Sequence, residues 1–302
     1  MSKTYRIYQV DAFTRERFSG NPAGVVSNAD GLSADEMQKI ARELNNSETA
    51  FLFTEGCEDC DVRVRFFTPS TEVPICGHAT ISAHYVYALE RQLSGHTKVL
   101  QKTGAGILPV DIYEENGDYQ IVMTQGKVSV SEPLSKEVKG RILDALGLAE
   151  TQLLAGLPMA VASTGHSKVM VGIQDIKKLH QLAPDLAALS AISAEIGCNG
   201  YYVFTLCPQR DEPLVHGRMF APAIGISEDP VTGNANGPLG AYLVHMGYAD
   251  NTKGQFSFEA IQGEAIHRPG RIRVTVDICE KKPVLVRVQG HAVIAFQTQI
   301  TL

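Results

Sequence analysis

The chain repeats itself once, and this constrains its fold more than any other feature. The run RFFTP at Arg65–Pro69 returns as RMFAP at Arg218–Pro222, so the two share R-x-F-x-P. EVPICGHA, from Glu72 to Ala79, returns as EDPVTGNA, from Glu228 to Ala235, sharing E-x-P-(I/V)-x-G-x-A. Upstream, GNPAGVV from Gly20 matches GHSKVMV from Gly165 more loosely. Between these blocks each half carries a helical pattern and then a strand pattern: SADEMQKIARELNN and ETAFLFT, then LAALSAISAEIG and GYYVFTL. Matches in one order, with a separation that widens only slightly, are what a duplicated domain with small insertions leaves behind. Two halves of one architecture follow.

Each half reads as strand, helix, strand, helix, then strands. Ser33 and Glu36 make a capping box, with Met37, Ile40, Ala41 and Leu44 on one apolar face. Gly197 closes the matching helix of the second half as a C-cap. After each E-x-P-x-x-G-x-A block comes a helix rich in small residues, ATISAHYVYAL and ANGPLGAYLVHMG, which suits a position wrapped by sheet on all sides. Alternating strands fill the rest: VLQKTG, ILPVDIY and YQIVMTQ in the first half; FSFEAI, RIRVTVDI, VLVRVQG and HAVIAFQTQITL in the second. The segment VSVSEPLSKEVKG, near 127–140, has the composition of a linker. The expected division is therefore 1–130 and 131–302, with the last strands crossing back to pair with the first half.

Composition narrows the function. The 302 residues are 44% hydrophobic and 20% charged, as in ordinary globular domains. A net charge of −6 without Lys/Arg runs argues against nucleic acid, whose phosphates need a clustered basic face. No stretch reaches the ~18 apolar residues of a membrane span, and MSKTYRIYQVDAF lacks the apolar core of a signal peptide, so a cytoplasmic protein is expected. Six scattered cysteines do not make a disulfide framework. Cys57 and Cys60 form one CxxC, with no second pair at zinc-ligand spacing, and read as a tolerated surface loop. No Gly-rich nucleotide fingerprint or G-x-S-x-G elbow occurs, and STGHSK around Ser163–Lys168 is a weak candidate nucleophile.

Two related domains facing one another make a cleft, the usual place for a small ligand. Gly77 and Gly233 each precede a helix whose unpaired N–H groups and partial positive charge can hold a carboxylate. The alternative is that both glycines only permit tight turns. Glu48, before the apolar strand of NNSETAFLF, breaks the repeat: its counterpart is Asn199 or Gly200. Burial there would raise its pKa and suit it to proton transfer, whereas a Glu at a strand edge otherwise serves as a solvated charge or a cap. His78 is placed to bind a carboxylate or pass a proton, or else is structural. Asp229 sits in a turn that favours Asp for backbone reasons alone. Asn234, opposite His78 in the repeat, offers an amide or caps its helix. His84 and His245, inside the small-residue helices, read as packing residues.

Taken together, VDAFTRERFSGNPAGVV, ARELNNSETAFL, RFFTPSTEVPICGHAT and GRMFAPAIGISEDPVTGNANGPLGAYL resemble the phenazine-biosynthesis F-like (PhzF-like) proteins over essentially the full length. The resemblance implies a diaminopimelate epimerase-like α+β fold: two pseudo-symmetric domains, each a curled, mostly antiparallel sheet around a central helix. It places the family's proton-transferring glutamate on Glu48, its turn histidine on His78 after Gly77, and its turn aspartate on Asp229, with Gly233 closing that turn. A substrate-contacting serine of the phenazine enzyme is Asn234 here, which puts that enzyme's substrate in doubt. The related epimerases use two cysteines as acid and base; here the first position is Cys76 and the second is Thr232, so two-thiol racemisation is unavailable.

The implied activity is a cofactor-independent isomerase, without metal, in which Glu48 moves a proton on a small carboxylic acid. Catalysis falls to Glu48, His78 and Asp229, and substrate binding to Gly77, Gly233, Asn234 and Cys76. The alternatives are a single-thiol epimerase pairing Cys76 with Glu48 or His78, and a binding protein that kept the cleft without the chemistry. A homodimer is expected from the resemblance alone.

Overall fold

The computed structural model describes residues 3–207, 214–249 and 252–302. It divides into two compact units, Met1–Thr124 with Gln289–Leu302, and Gln125–Val288.

Along the first unit run β1 (Thr4–Ala12), β2 (Asn21–Val26), α1 (Ala34–Leu44), β3 (Thr49–Phe53), β4 (Val62–Phe67), β5 (Glu72–Val73), α2 (Gly77–Arg91), β6 (His96–Thr103), β7 (Gly106–Glu115) and β8 (Asp118–Thr124). The second unit carries β9 (Ser129–Pro133), α3 (Lys136–Leu146), β10 (Ala160–Ser163), β11 (Ser167–Gly172), α4 (Ile176–His180), α5 (Leu186–Ile196), β12 (Tyr201–Cys207), β13 (Leu214–Ala221), β14 (Ile226–Asp229), α6 (Gly233–His245), β15 (Gln255–Gln262), β16 (Gly270–Cys279) and β17 (Lys282–Gly290). The last strand, β18 (Ala292–Thr301), returns to the first unit, where it lies antiparallel to β1 with Thr4 opposite Thr301.

The two sheets repeat one pairing plan. In the first unit β2–β3 and β4–β6 are parallel, while β1–β2, β3–β4, β4–β5, β6–β7 and β7–β8 are antiparallel. In the second, β11–β12 and β13–β15 are parallel, while β10–β11, β12–β13, β13–β14 and β15–β16 are antiparallel. Each sheet curls about one helix. α2 packs on β1, β2, β3, β7, β8 and β18, and α6 on β9, β10, β11, β15 and β16. Both helices are buried over most of their length. That accounts for the small residues: a Cβ on Gly240 would lie 2.8 Å from Val276 Cγ2 and 2.9 Å from Val274 Cγ1, so only glycine lets α6 approach its sheet so closely.

The shared motif has a physical meaning in both halves. Arg65 grips Glu72 with two bonds of 2.7 Å, and Arg218 grips Glu228 at 2.9 and 2.7 Å, closing the β4–β5 and β13–β14 hairpins. The same guanidinium groups lie over Phe67 and Phe220, which explains the F of R-x-F.

The outer helices cover the other sheet faces. α1 begins at the Ser33/Glu36 capping box and buries Met37, Ile40 and Ala41, with Leu44 packed alongside. α5 ends at Gly197 in the left-handed conformation. The linker composition at 127–140 is overturned, because that segment forms β9 and the start of α3. Ser135 caps α3, and Ile142, Leu143 and Leu146 join the core with Leu189 and Ile192. Cys57 and Cys60 are joined as a disulfide within their loop. Among the described residues, no helix is long and apolar enough to cross a membrane.

Candidate active site

In the first unit, three sequence candidates meet at the start of α2. Glu48 stands just before β3, its backbone carbonyl accepting from Gly24 N–H at 3.2 Å, which fixes it beside β2. Its carboxylate Oε2 lies 3.5 Å from His78 Nε2, with the Glu48 side chain 17% and the His78 side chain 8% exposed. Ser47 Oγ is 3.2 Å from the same ring nitrogen, and Cys76 Sγ is 3.5 Å from Nδ1 on the other side of the ring. The imidazole is thus flanked by a thiol and a carboxylate.

Cys76 occupies the N-cap of α2 in extended backbone, and no side chain caps the helix. The reading of Gly77 and Gly233 as turn glycines does not hold: neither has positive φ. A Cβ on Gly77 would meet nothing within 4 Å. The missing side chain thus adjoins open space at the start of the helix. The ligand atoms of Glu48, Cys76 and His78 lie within 4.8 Å of one another, a donor set that also suits a soft divalent metal.

The second unit builds a cluster around Asp229 at the end of β14. Thr232, in the position of Cys76, donates its hydroxyl to Asp229 Oδ2 and forms the N-cap of α6. Gln262 ties the turn together: its amide donates to Asp229 O at 2.7 Å and to Thr232 Oγ1 at 3.1 Å, and its oxygen accepts from Thr232 N–H at 3.1 Å. Asn236 reaches Thr232 O at 3.0 Å and accepts from Tyr202 OH at 2.7 Å. Asn234 does not cap the helix; it sits in the first turn, where its Oδ1 is 3.5 Å from Gln125 Nε2, and the same Gln125 amide donates to Gly233 O at 2.9 Å.

Lys168, on β11, is weighed in the sequence only within the STGHSK run and set aside there. It is 3% exposed, and its ammonium donates to Ser167 O at 3.2 Å. Burial pushes its pKa down to about 8, against a partial lift from Cys198 and Asp229. The signal lay in the repeat: Lys168 and Asp229 stand where the first half has Ala23 and Val73. Only the second unit buries this basic and acidic couple. Of the two helix histidines, His84 is fully buried, its Nδ1–H donating to Thr80 O at 3.0 Å, whereas His245 is exposed and does not pack.

Residues 10–298 match the family model of the phenazine biosynthesis-like proteins, PhzC-PhzF. The chain belongs to this family. It is 55% identical over its whole length, and the whole length of the relative, to an uncharacterised isomerase of Clostridium acetobutylicum. It is 30% identical to the trans-2,3-dihydro-3-hydroxyanthranilate isomerase of Pseudomonas aeruginosa, over 95% of this chain and 96% of that one. The crystal structure of a PhzF-family phenazine biosynthesis protein from Bacillus anthracis superposes with a TM-score of 0.87 at 31% identity, covering 99% of this chain and 100% of that one. As a PhzF-type protein with such relatives, the chain is an isomerase.

Proposed function

We propose that this PhzF-type isomerase moves a proton on a small carboxylic acid without metal or organic cofactor, with Glu48 as the general base. The observation that carries the reading is the Glu48 carboxylate, mostly buried and 3.5 Å from His78 Nε2 at an uncapped helix start. Glu48 removes a proton from an activated carbon of the substrate. His78, in contact with Glu48, accepts or returns the proton elsewhere on the conjugated system. General acid–base catalysis of this kind supplies about 10²–10⁴-fold, and the remainder falls to anchoring and charge stabilisation. Backbone N–H groups at Gly77 and Gly233 bind the carboxylate and the developing negative charge. Asp229 orients a substrate hydroxyl or amine, Asn234 adds an amide contact, and the Lys168 ammonium neutralises the acid. The same proposal has the isomerase working in the cytoplasm as a homodimer, which sedimentation equilibrium on the purified chain tests.

The experiment is deuterium incorporation from heavy water into a panel of small carboxylic acids and a metabolite extract, wild type against Glu48→Gln. The wild type is expected to label at least one acid, and the variant to fold normally and lose about 10²–10⁴-fold in rate. Undiminished exchange in the variant removes Glu48 from the base role. Binding of acids without exchange in either protein supports the silent-binder alternative.

A second reading is supported by the Cys76 Sγ–His78 Nδ1 approach of 3.5 Å: a single-thiol epimerase in which Cys76 is one of the two acid–base groups. Cys76→Ser separates them. It leaves the glutamate mechanism nearly untouched and cripples the thiol one, whose label would enter at an amino acid α-carbon.

A further inference from the structure

Besides the residues of the two clusters just described, three side chains of the second unit meet on one point. His180 ends α4, His216 lies within β13, and Glu264 begins a short 3-10 turn, Glu264–Ile266. Glu264 Oε2 is 2.7 Å from His216 Nδ1 and 3.2 Å from His180 Nε2, and the three ligand atoms all lie within 4.8 Å of one another. We propose that His180, His216 and Glu264 form a binding site for a single zinc-class divalent cation, using none of the side chains assigned to isomerisation.

The donor set decides the ion. Two neutral imidazoles and one carboxylate suit zinc, cobalt or nickel, whereas calcium and magnesium prefer all-oxygen shells. Three protein ligands leave a fourth position for water. The side chains of His180 and Glu264, 37% and 29% exposed, give that water and the ion a way in, while His216 at 11% forms the floor.

The ligands are also fixed independently of one another. β13 is paired on both sides at His216, with Thr205 of β12 and Ile261 of β15. Arg218, two residues along β13 on the same face, donates to Leu179 O at 3.0 Å and Leu182 O at 2.8 Å, pinning the end of α4 that presents His180. Gly263 has φ of +87°, and a Cβ there would lie 2.9 Å from Pro230 O, so the turn presenting Glu264 admits only glycine. The nearby positive charge of Arg218 is matched by its bidentate partner Glu228. On binding, each imidazole carries its proton on the far nitrogen and the two hydrogen bonds to Glu264 give way to coordination.

The test is a zinc titration by calorimetry on the metal-free full chain carrying Cys57→Ser, Cys60→Ser and Cys76→Ser, which removes the sulfur ligands of the other two donor clusters, Glu48/Cys76/His78 and Cys57/Asp59/Cys60. One ion per chain is expected, with affinity falling at least tenfold in His216→Ala and in Glu264→Gln. His180→Ala, at an exposed helix end, gives the same loss in a variant whose fold is not at risk. Cobalt bound at this site absorbs in the visible without a thiolate charge-transfer band. Absence of binding, or binding unchanged in these variants, means that the three side chains are a hydrogen-bonded staple only, and overturns the proposal. Neither outcome depends on isomerase activity.

Discussion

A buried base titrates differently from an exposed one, and two such residues give this protein separate pH signatures. His84, fully buried in α2, has its pKa pushed down to about 4 by burial, and its Nε2 has no hydrogen-bond partner among the described residues. The folded state keeps it neutral, while the unfolded chain takes up a proton near 6.5. Stability from this group is therefore complete above pH 6.5 and is lost as pH falls from there toward 4. Its full contribution is about 3 kcal/mol at one pKa unit per 1.4 kcal/mol. Urea midpoints measured between pH 7 and pH 4 are expected to fall less for His84→Gln than for the wild type. In the proposed mechanism Lys168 acts on binding instead. Once an exchanging acid is identified, its KM should climb as pH rises through about 8, where the ammonium loses its charge. Lys168→Met should raise KM at least tenfold at pH 7 and leave little of that pH dependence, and Lys168→Arg should restore part of the affinity.

The two Arg–Glu hairpin locks are the same chemical element in two environments, so they predict unequal costs. The Arg218 and Glu228 side chains are 8% and 11% exposed, whereas those of Arg65 and Glu72 are 28% and 43% exposed. Removing one partner of a buried pair strands the other, at about 3–5 kcal/mol, while an exposed pair is worth about 1 kcal/mol or less. Arg218→Met should accordingly lower the unfolding free energy several times more than Arg65→Met, as read from denaturant melts. These locks were legible in the sequence because their residues recur at fixed spacing. α3 was not, since Pro133, Gly140 and four charges between Glu132 and Lys139 imitate a linker. The cue that remained was Ser135 as cap, with Val138, Ile142 and Leu146 at helical spacing. Glu48, His78 and Cys76 could be named from their motifs, but the contacts of His78 with Ser47 and Glu48 join residues some thirty positions apart and needed the fold. The Lys168–Asp229 couple escaped because Asp229 reads only within its turn and Lys168 only within STGHSK, and no spacing in the sequence joins the two.

At the scale of the molecule, the duplication was plain from the sequence, and the path of the chain's end rested on β-strand alternation alone. β1 lies between β2 and β18, and the backbone of Lys3 exchanges both hydrogen bonds with Leu302, each 3.1 Å. A chain ending at Gly290 leaves β1 as a bare edge and uncovers one side of α2. Hydrogen exchange on such a truncation should show lost protection throughout the first unit and retained protection in Gln125–Val288. The pairing of first strand with last also sets a timetable. During synthesis every residue of the second unit is made before β18 exists, so that unit has its complete sequence while the earlier-made one still lacks a strand. The ribosome thus delivers the domains in one order and the chain finishes them in the other, with β1 waiting for its neighbour until β18 has been made.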